Sequence, residues 1–263
     1  MRILFIGDIF GTTGRRVLAE RLSSLVEEKA VELCIANGEN AAGGGGLTNN
    51  IIKKFRKYGV QVITGGNHIF SNQDCYPNLE NDDFVLRPHN FPPGNVGKGI
   101  ALYTLKDSRN IGIINLQGRT FLHEITDCPF RTADQAVAFL AKDTKSIFID
   151  FHAEASSEKK ALFYYLDGRI SALIGTHTHI QTADEFISPE GTAYLTDVGM
   201  TGPADSCIGM KPEPVIKKFI FQTSARFEPS NAGPSLNAVL MDIDDSTGKA
   251  TSISRISERI IFK

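Results

Sequence analysis

The stretch Leu33-Cys34-Ile35-Ala36-Asn37-Gly38-Glu39-Asn40 is a short apolar run that stops abruptly in residues able to bind metal ions, and the pattern recurs on both sides of it. Ile3 to Ile6 precede Gly7-Asp8, and Val60 to Thr64 precede Gly65-Gly66-Asn67-His68. Runs of this length and β-branched content read as strands buried on both faces. Between them, Leu18, Leu22, Leu25 and Val26 share one face of a helix from about Thr13 to Lys29. Thr48 caps a second helix carrying Ile51, Ile52 and Phe55, which Gly59 ends. Strand, helix, strand, helix predicts a parallel sheet with right-handed crossovers.

Farther along, Ile100 to Leu105 and Ile111 to Leu116 are separated by a hairpin-length turn, which predicts an antiparallel pair. Thr132 and Gln135 form a capping-box signature before a helix with Ala136, Phe139 and Leu140 on its apolar side. Two more buried-strand runs follow, Ile147 to Phe151 ending in His152 and Ala172 to Ile174 ending in Gly175-Thr176-His177-Thr178-His179. A helix with Leu162, Phe163 and Leu166 fits between them and stops at Asp167-Gly168. Strands are expected near Thr192 to Thr196, Ile216 to Gln222, Asn237 to Ile243 and Thr251 to Ile256. The fold class that results is α/β: two mixed β-sheets packed face to face and flanked by helices, as one domain over residues 1–263. The Gly43 to Gly46 tract reads either as a mobile active-site loop or as a tight turn.

Hydrophobic residues at 41% and charged residues at 22% place the chain among globular proteins rather than disordered or fibrous ones. A formal net charge of −2 supplies no field to hold long nucleic acid, so a small phosphorylated ligand is the better candidate partner. No apolar run is long enough for a signal peptide or a membrane span. Cys34, Cys75, Cys128 and Cys207 are scattered without a C-x-x-C pair and read as reduced thiols of a cytoplasmic protein.

The chemistry lies at the strand ends. Asp8, Glu39 with Asn40, Asn67 with His68, His152, and His177 with His179 are all ligand types, and strand termini of such sheets converge on one crevice. Taken singly, Asp8 reads as a turn residue or helix cap, and Glu39-Asn40 as a loop turn. Jointly they read otherwise, because four of the six His share these segments with the acidic and amide residues. His89 and His123 stay outside as surface or pocket-lining residues. Imidazole with carboxylate suits Fe, Mn or Zn better than Mg or Ca. Glu39, central in the set, is the candidate bridge between two ions, and two ions about 3.5–4 Å apart would activate a water for in-line displacement at phosphorus.

The segments Gly7-Asp8, Asn37 through Gly44, Gly66-Asn67-His68, His152 and Gly175 through His179 resemble the blocks of calcineurin-like metallophosphoesterases, in particular the YmdB-type subfamily of cyclic-nucleotide phosphodiesterases. The resemblance spans Met1 to Gly202. It implies that Asp8, Glu39, Asn40 and His179 hold one metal ion, and that Glu39, Asn67, His152 and His177 hold the other. It implies His68 as the acid that protonates the leaving ribose oxygen, a two-sheet αββα sandwich, and iron or manganese as cofactor, with zinc as the third option. It implies 2′,3′-cyclic nucleotides as substrate, attacked in line by a metal-bridging hydroxide, and a homo-oligomer with the residues after Pro203 as contact surface. Phe10 stands where the wider superfamily has His, Glu39 where it has Asp, and Ser71 where the subfamily has an acid; the last removes a carboxylate that would orient His68. Two other readings accompany this one: a regulatory or scaffold protein with a vestigial metal site, and a phosphomonoesterase.

Overall fold

Alternation along the first strand sets the layers. In β1 (Arg2–Ile6), Ile3 and Phe5 join one apolar cluster while Leu4 and Ile6 join another, as a period of two requires of a strand covered on both faces. The computed structural model describes residues Met1–Phe262. After β1 come β2 (Asp8–Ile9), α1 (Gly11–Glu28), β3 (Leu33–Asn37), α2 (Asn49–Tyr58), β4 (Val62–Thr64) and α3 (Tyr76–Asn81). The middle of the chain forms β5 (Ile100–Thr104), β6 (Asn110–Gln117), α4 (Pro129–Leu140), β7 (Ile147–His152), α5 (Ser156–Leu166) and β8 (Ala172–Thr176). It closes with β9 (Phe186–Ile187), β10 (Ala193–Leu195), β11 (Met200–Pro203), α6 (Pro212–Phe221), β12 (Pro234–Asp244) and β13 (Lys249–Arg259).

One sheet runs β2-β11-β12-β1-β3-β4 with β13 beside β12, and the other runs β5-β6-β7-β8-β10-β9. Both are mixed: β1, β3 and β4 are parallel, as are β6, β7, β8 and β10, while β12 and β5 pair antiparallel with their neighbours. Ile3, Phe5, Leu33 and Ile35 of the first sheet meet Ile113, Phe148 and Ile174 of the second in the layer between them. Phe5 and Phe148 make an edge-to-face contact across it at 5.0 Å between centroids. Outside, Leu18, Leu22, Ile52 and Phe55 of α1 and α2 cover the first sheet, and Ala136, Leu140, Leu162 and Phe163 of α4 and α5 cover the second. The expected helix–sheet–sheet–helix architecture is therefore the observed one.

Local expectations divide. Thr48 accepts the amide of Ile51 at 3.2 Å, and Gly59 closes α2 in the left-handed region at φ 108°, both as read from the sequence. The Thr132–Gln135 capping box does not form: α4 begins with Pro129, and the amide of Thr132 already donates to Cys128 O within the first turn. Phe139, expected on the apolar face of α4, is 56% exposed. Ile216 to Gln222 is not a strand but belongs to α6 and its C-cap. Its β-branched and aromatic content favours a strand, but Pro212 and Pro214 fix helical φ at its start and remove the amides a sheet would need.

Candidate active site

The site lies where the ends of both sheets meet. Asp8 begins β2, Glu39 and Asn40 follow β3, and Asn67 and His68 follow β4. From the second sheet, His152 ends β7, while His177 and His179 lie just past β8. All eight residues come together. The Nε2 atom of His152 has Glu39 Oε1 at 3.1 Å, Asn67 Oδ1 at 3.1 Å and His177 Nδ1 at 3.0 Å. Asn40 Nδ2 is 3.1 Å from both Glu39 Oε1 and His179 Nε2. Asp8 Oδ2 accepts the amide of His177 at 3.0 Å, and Oδ1 lies 4.0 Å from His152 Nδ1. His68 sits at the rim, its Nδ1 3.2 Å from Asn40 Oδ1 and 3.4 Å from Glu39 Oε1. These two contacts orient the His68 ring although Ser71 supplies no carboxylate.

Close approach depends on Gly66, where a Cβ would fall 2.1 Å from Glu39 Oε2 and 2.4 Å from His152 Nε2. His177 and His179 adopt left-handed backbone at φ 104° and 66°, conformations that cost about 1–3 kcal/mol for residues with a side chain. With that geometry one segment brings His177 Nδ1 to His152 and His179 Nε2 to Asn40. The segment is held by Asp197, whose Oδ2 accepts the amide of Thr178 at 3.0 Å and Lys159 Nζ at 2.8 Å, with both side chains fully buried.

The donor set fits cations. Asp8 Oδ1 is buried without a hydrogen-bond partner, and burial pushes the Asp8 carboxyl above its ordinary range. A neighbouring cation would relieve both. The imidazoles are oriented to suit one as well. His179 Nδ1 donates to Ile208 O at 3.0 Å, which leaves Nε2 facing Asn40 as a lone-pair donor. His152 Nδ1 is tied to Thr176 Oγ1 at 2.9 Å, and Thr176 donates onward to Asp150 Oδ1 at 2.7 Å. Glu39, His152 and His177 bring ligand atoms within 4.8 Å of one another.

Charges within the cluster act strongly on one another. Burial opposes the charged form of His152, yet Glu39, Asp8 and Asp150 raise it to about 9. His177, driven by burial and by His152, falls to about 3. Glu39 is held well below the carboxylate range, its burial outweighed by His152 and His68. The hydrogen bond that His68 donates to Glu39 raises the imidazole's pKa against the lowering effect of burial.

Several partners escape a reading of strand ends. Asp150 lies two residues before His152 and so on the same face of β7, a signal visible in the sequence. Burial raises it to about 6, and it accepts from Thr64 and Asn37 of the facing sheet at 2.5 and 3.0 Å. Glu154, whose Oε2 is 3.0 Å from His177 Nε2, follows His152 by two. Asp197 and Lys159 have no local signature. His89 is half-buried and His123 exposed, and neither joins the cluster. The Gly43 to Gly46 tract folds as tight turns, with Gly44 at the edge of the cleft above the site.

Residues 4–256 match the family model described as YmdB-like protein. The chain is 48% identical to a 2′,3′-cyclic-nucleotide 2′-phosphodiesterase of Bacillus subtilis (strain 168) over 256 residues, 97% of this chain and 96% of that protein. Among solved structures, a hypothetical protein from Thermus thermophilus superposes with a TM-score of 0.92 at 36% identity, covering 98% of this chain and 99% of the other. A novel phosphatase from Mycoplasma pneumoniae does so with a TM-score of 0.93 at 34% identity, covering 98% and 93%. A match of this extent in both sequence and backbone means that the chain belongs to the YmdB-like protein family.

Proposed function

We propose that this protein is a dinuclear metal-dependent phosphodiesterase that hydrolyses small phosphodiesters, with 2′,3′-cyclic nucleotides as its substrate class. The observation that carries the reading is the convergence of the eight side chains around Glu39, with His152 Nε2 facing three heteroatoms at 3.0–3.1 Å and Asp8 Oδ1 buried without a partner. The activity of the Bacillus subtilis relative supports the substrate class. Asp8, Glu39, Asn40 and His179 would hold one ion; Glu39, Asn67, His152 and His177 would hold the other. N/O donors of this kind favour iron, manganese or zinc. When bound, such a pair supplies an activated water and neutralises charge on the phosphoryl oxygens.

The remaining work belongs to the chain. His68 has its Nδ1 engaged by Asn40 and Glu39, so Nε2 is the nitrogen left to protonate the departing ribose oxygen. Asp197 and Lys159 fix the segment carrying His177 and His179. Thr176 and Asp150 hold the His152 ring in the orientation that presents Nε2. The test is elemental analysis of the purified protein alongside hydrolysis of 2′,3′-cyclic AMP, bis-(p-nitrophenyl) phosphate and p-nitrophenyl phosphate. About two transition-metal ions per chain and turnover of the diesters are expected. Turnover of the monoester alone would make the protein a phosphomonoesterase. Glu39→Gln should abolish turnover while leaving the circular dichroism spectrum intact, and wild-type rates in that variant would reject the assignment.

A further inference from the structure

The cleft above the cluster, about 640 Å³ in volume, has two unlike sides. Glu39, Asn40, His68, His177 and His179 form a polar floor. An apolar wall comes from the segment around α6: Met210 before the helix, Val215 and Phe219 on it, and Phe227 after it. Val215, Lys218 and Phe219 stand at i, i+3 and i+4 and so occupy one face of α6, the face turned to the cleft. α6 buries none of its residues, and Phe219 is 74% exposed. Apolar rings kept in water at the mouth of a polar site are unfavourable unless a ligand covers them. Lys218 lies on the same face and lines the cleft, and no carboxylate pairs with it among the described residues.

We propose that this wall is the nucleobase subsite, with Phe219 and Phe227 as stacking surfaces and Lys218 as the cationic contact for the phosphate end. The inference rests on the phosphodiesterase reading above and specifies which part of the substrate that enzyme selects. The chemistry required of the ligand is an anionic group over the floor joined within a few ångströms to a flat, weakly polar ring over the wall. A nucleotide has that form, and the cleft volume lies in the range of sites for ligands of this size. The wall is also tied to the floor: Ile208, just before Met210, supplies the carbonyl that fixes the His179 ring.

The test compares 2′,3′-cyclic AMP with the base-free cyclic phosphate of 1-O-methylribose, and the binding of 3′-AMP with that of ribose 3-phosphate. In the intact protein the base should improve both kcat/KM and Kd by about 10- to 100-fold, the worth of one base stacked on an aromatic ring. Phe219→Ala should collapse both ratios toward one, and Phe219→Trp should keep them. Equal turnover of the two substrates by the intact protein overturns the subsite while leaving the phosphodiesterase reading in place. Turnover of neither substrate counts against that reading, and the ratio of the two dissociation constants still decides the subsite. A Phe219→Ala variant whose mass in solution changes while its ratios persist assigns the wall to a subunit contact and overturns the proposal.

Discussion

Lys159 and Asp197 show how the site depends on single residues far from its centre. Their side chains are fully buried and 2.8 Å apart, and Asp197 also holds the amides of Thr178 and Gly199. Removing one member of a buried pair leaves an uncompensated charge, which costs about 3–5 kcal/mol. Lys159→Met should therefore lower stability by about that amount in urea denaturation. It should also loosen the His177–His179 segment, because Asp197 would no longer be neutralised where it meets Thr178. Metal content measured after dialysis should fall together with stability; a variant with wild-type metal content and unchanged midpoint contradicts this role. Glu39 differs in kind. It lies outside the strands at the centre of the cluster, so its replacement is expected to affect chemistry while the fold persists.

At the level of elements, β1 and β12 are joined by a cross-strand pair in which Arg2 stands opposite Asp242 in register. Arg2 Nε and Nη2 donate to the two Asp242 carboxylate oxygens at 2.8 and 3.0 Å. The Arg2 hydrogen bond lowers the Asp242 carboxyl below its ordinary value of 3.8 against a smaller effect of burial. A carboxyl depressed in the folded state adds stability that is complete above its unfolded value and is lost as pH falls through its folded value. The pair should thus weaken only below about pH 4, and exposed to solvent screening it should contribute little. Asp242→Asn is expected to lower the unfolding midpoint slightly at pH 7 and to bring it level with the wild type in acid, which flattens the acid limb. An acid limb equal to that of the wild type would show that the pair contributes nothing there. α6 marks the opposite case, an element with no buried residue, which prolines open at its start.

For the whole molecule, the decisive feature is that the site straddles two sheets. Asp8, Glu39, Asn40, Asn67 and His68 belong to one sheet, and His152, His177 and His179 to the other. Beneath them Asp150 of β7 accepts from Asn37 and Thr64 of the facing sheet, so polar bonds and apolar packing both set the spacing. Phe148→Ala, in the layer between the sheets, should cost about 3–5 kcal/mol through lost contacts and the cavity left behind. Because that layer holds the two groups of site residues at their distance, the metal affinity proposed for them, measured by competition with a chelator, should drop as well. Full affinity in the variant would mean that the strand ends, not the packed layer, define the site.

Much of this organisation is written along the chain. Ile3 to Ile6, Leu33 to Ala36 and Ile147 to Phe151 are largely apolar because both faces of their strands are covered, and each is followed at once or within three residues by a residue of the candidate site, so strands and site are legible together. Tertiary structure decided what rests on contacts between distant segments. Ile216 to Phe221 carries a strand-like composition, yet it becomes helix where prolines open it and no sheet edge receives it. The pairing of Lys159 with Asp197, the relay from His152 through Thr176 to Asp150, and the carbonyl of Ile208 that turns His179 join residues 24 to 38 positions apart. Local periodicity reports which face of a strand is buried, but not which side chain of another strand will stand opposite it. By itself the sequence determined the layers and the residues available for chemistry; register and packing decided their partners, orientations and charge states, because those depend on distances that exist only once the two sheets have met.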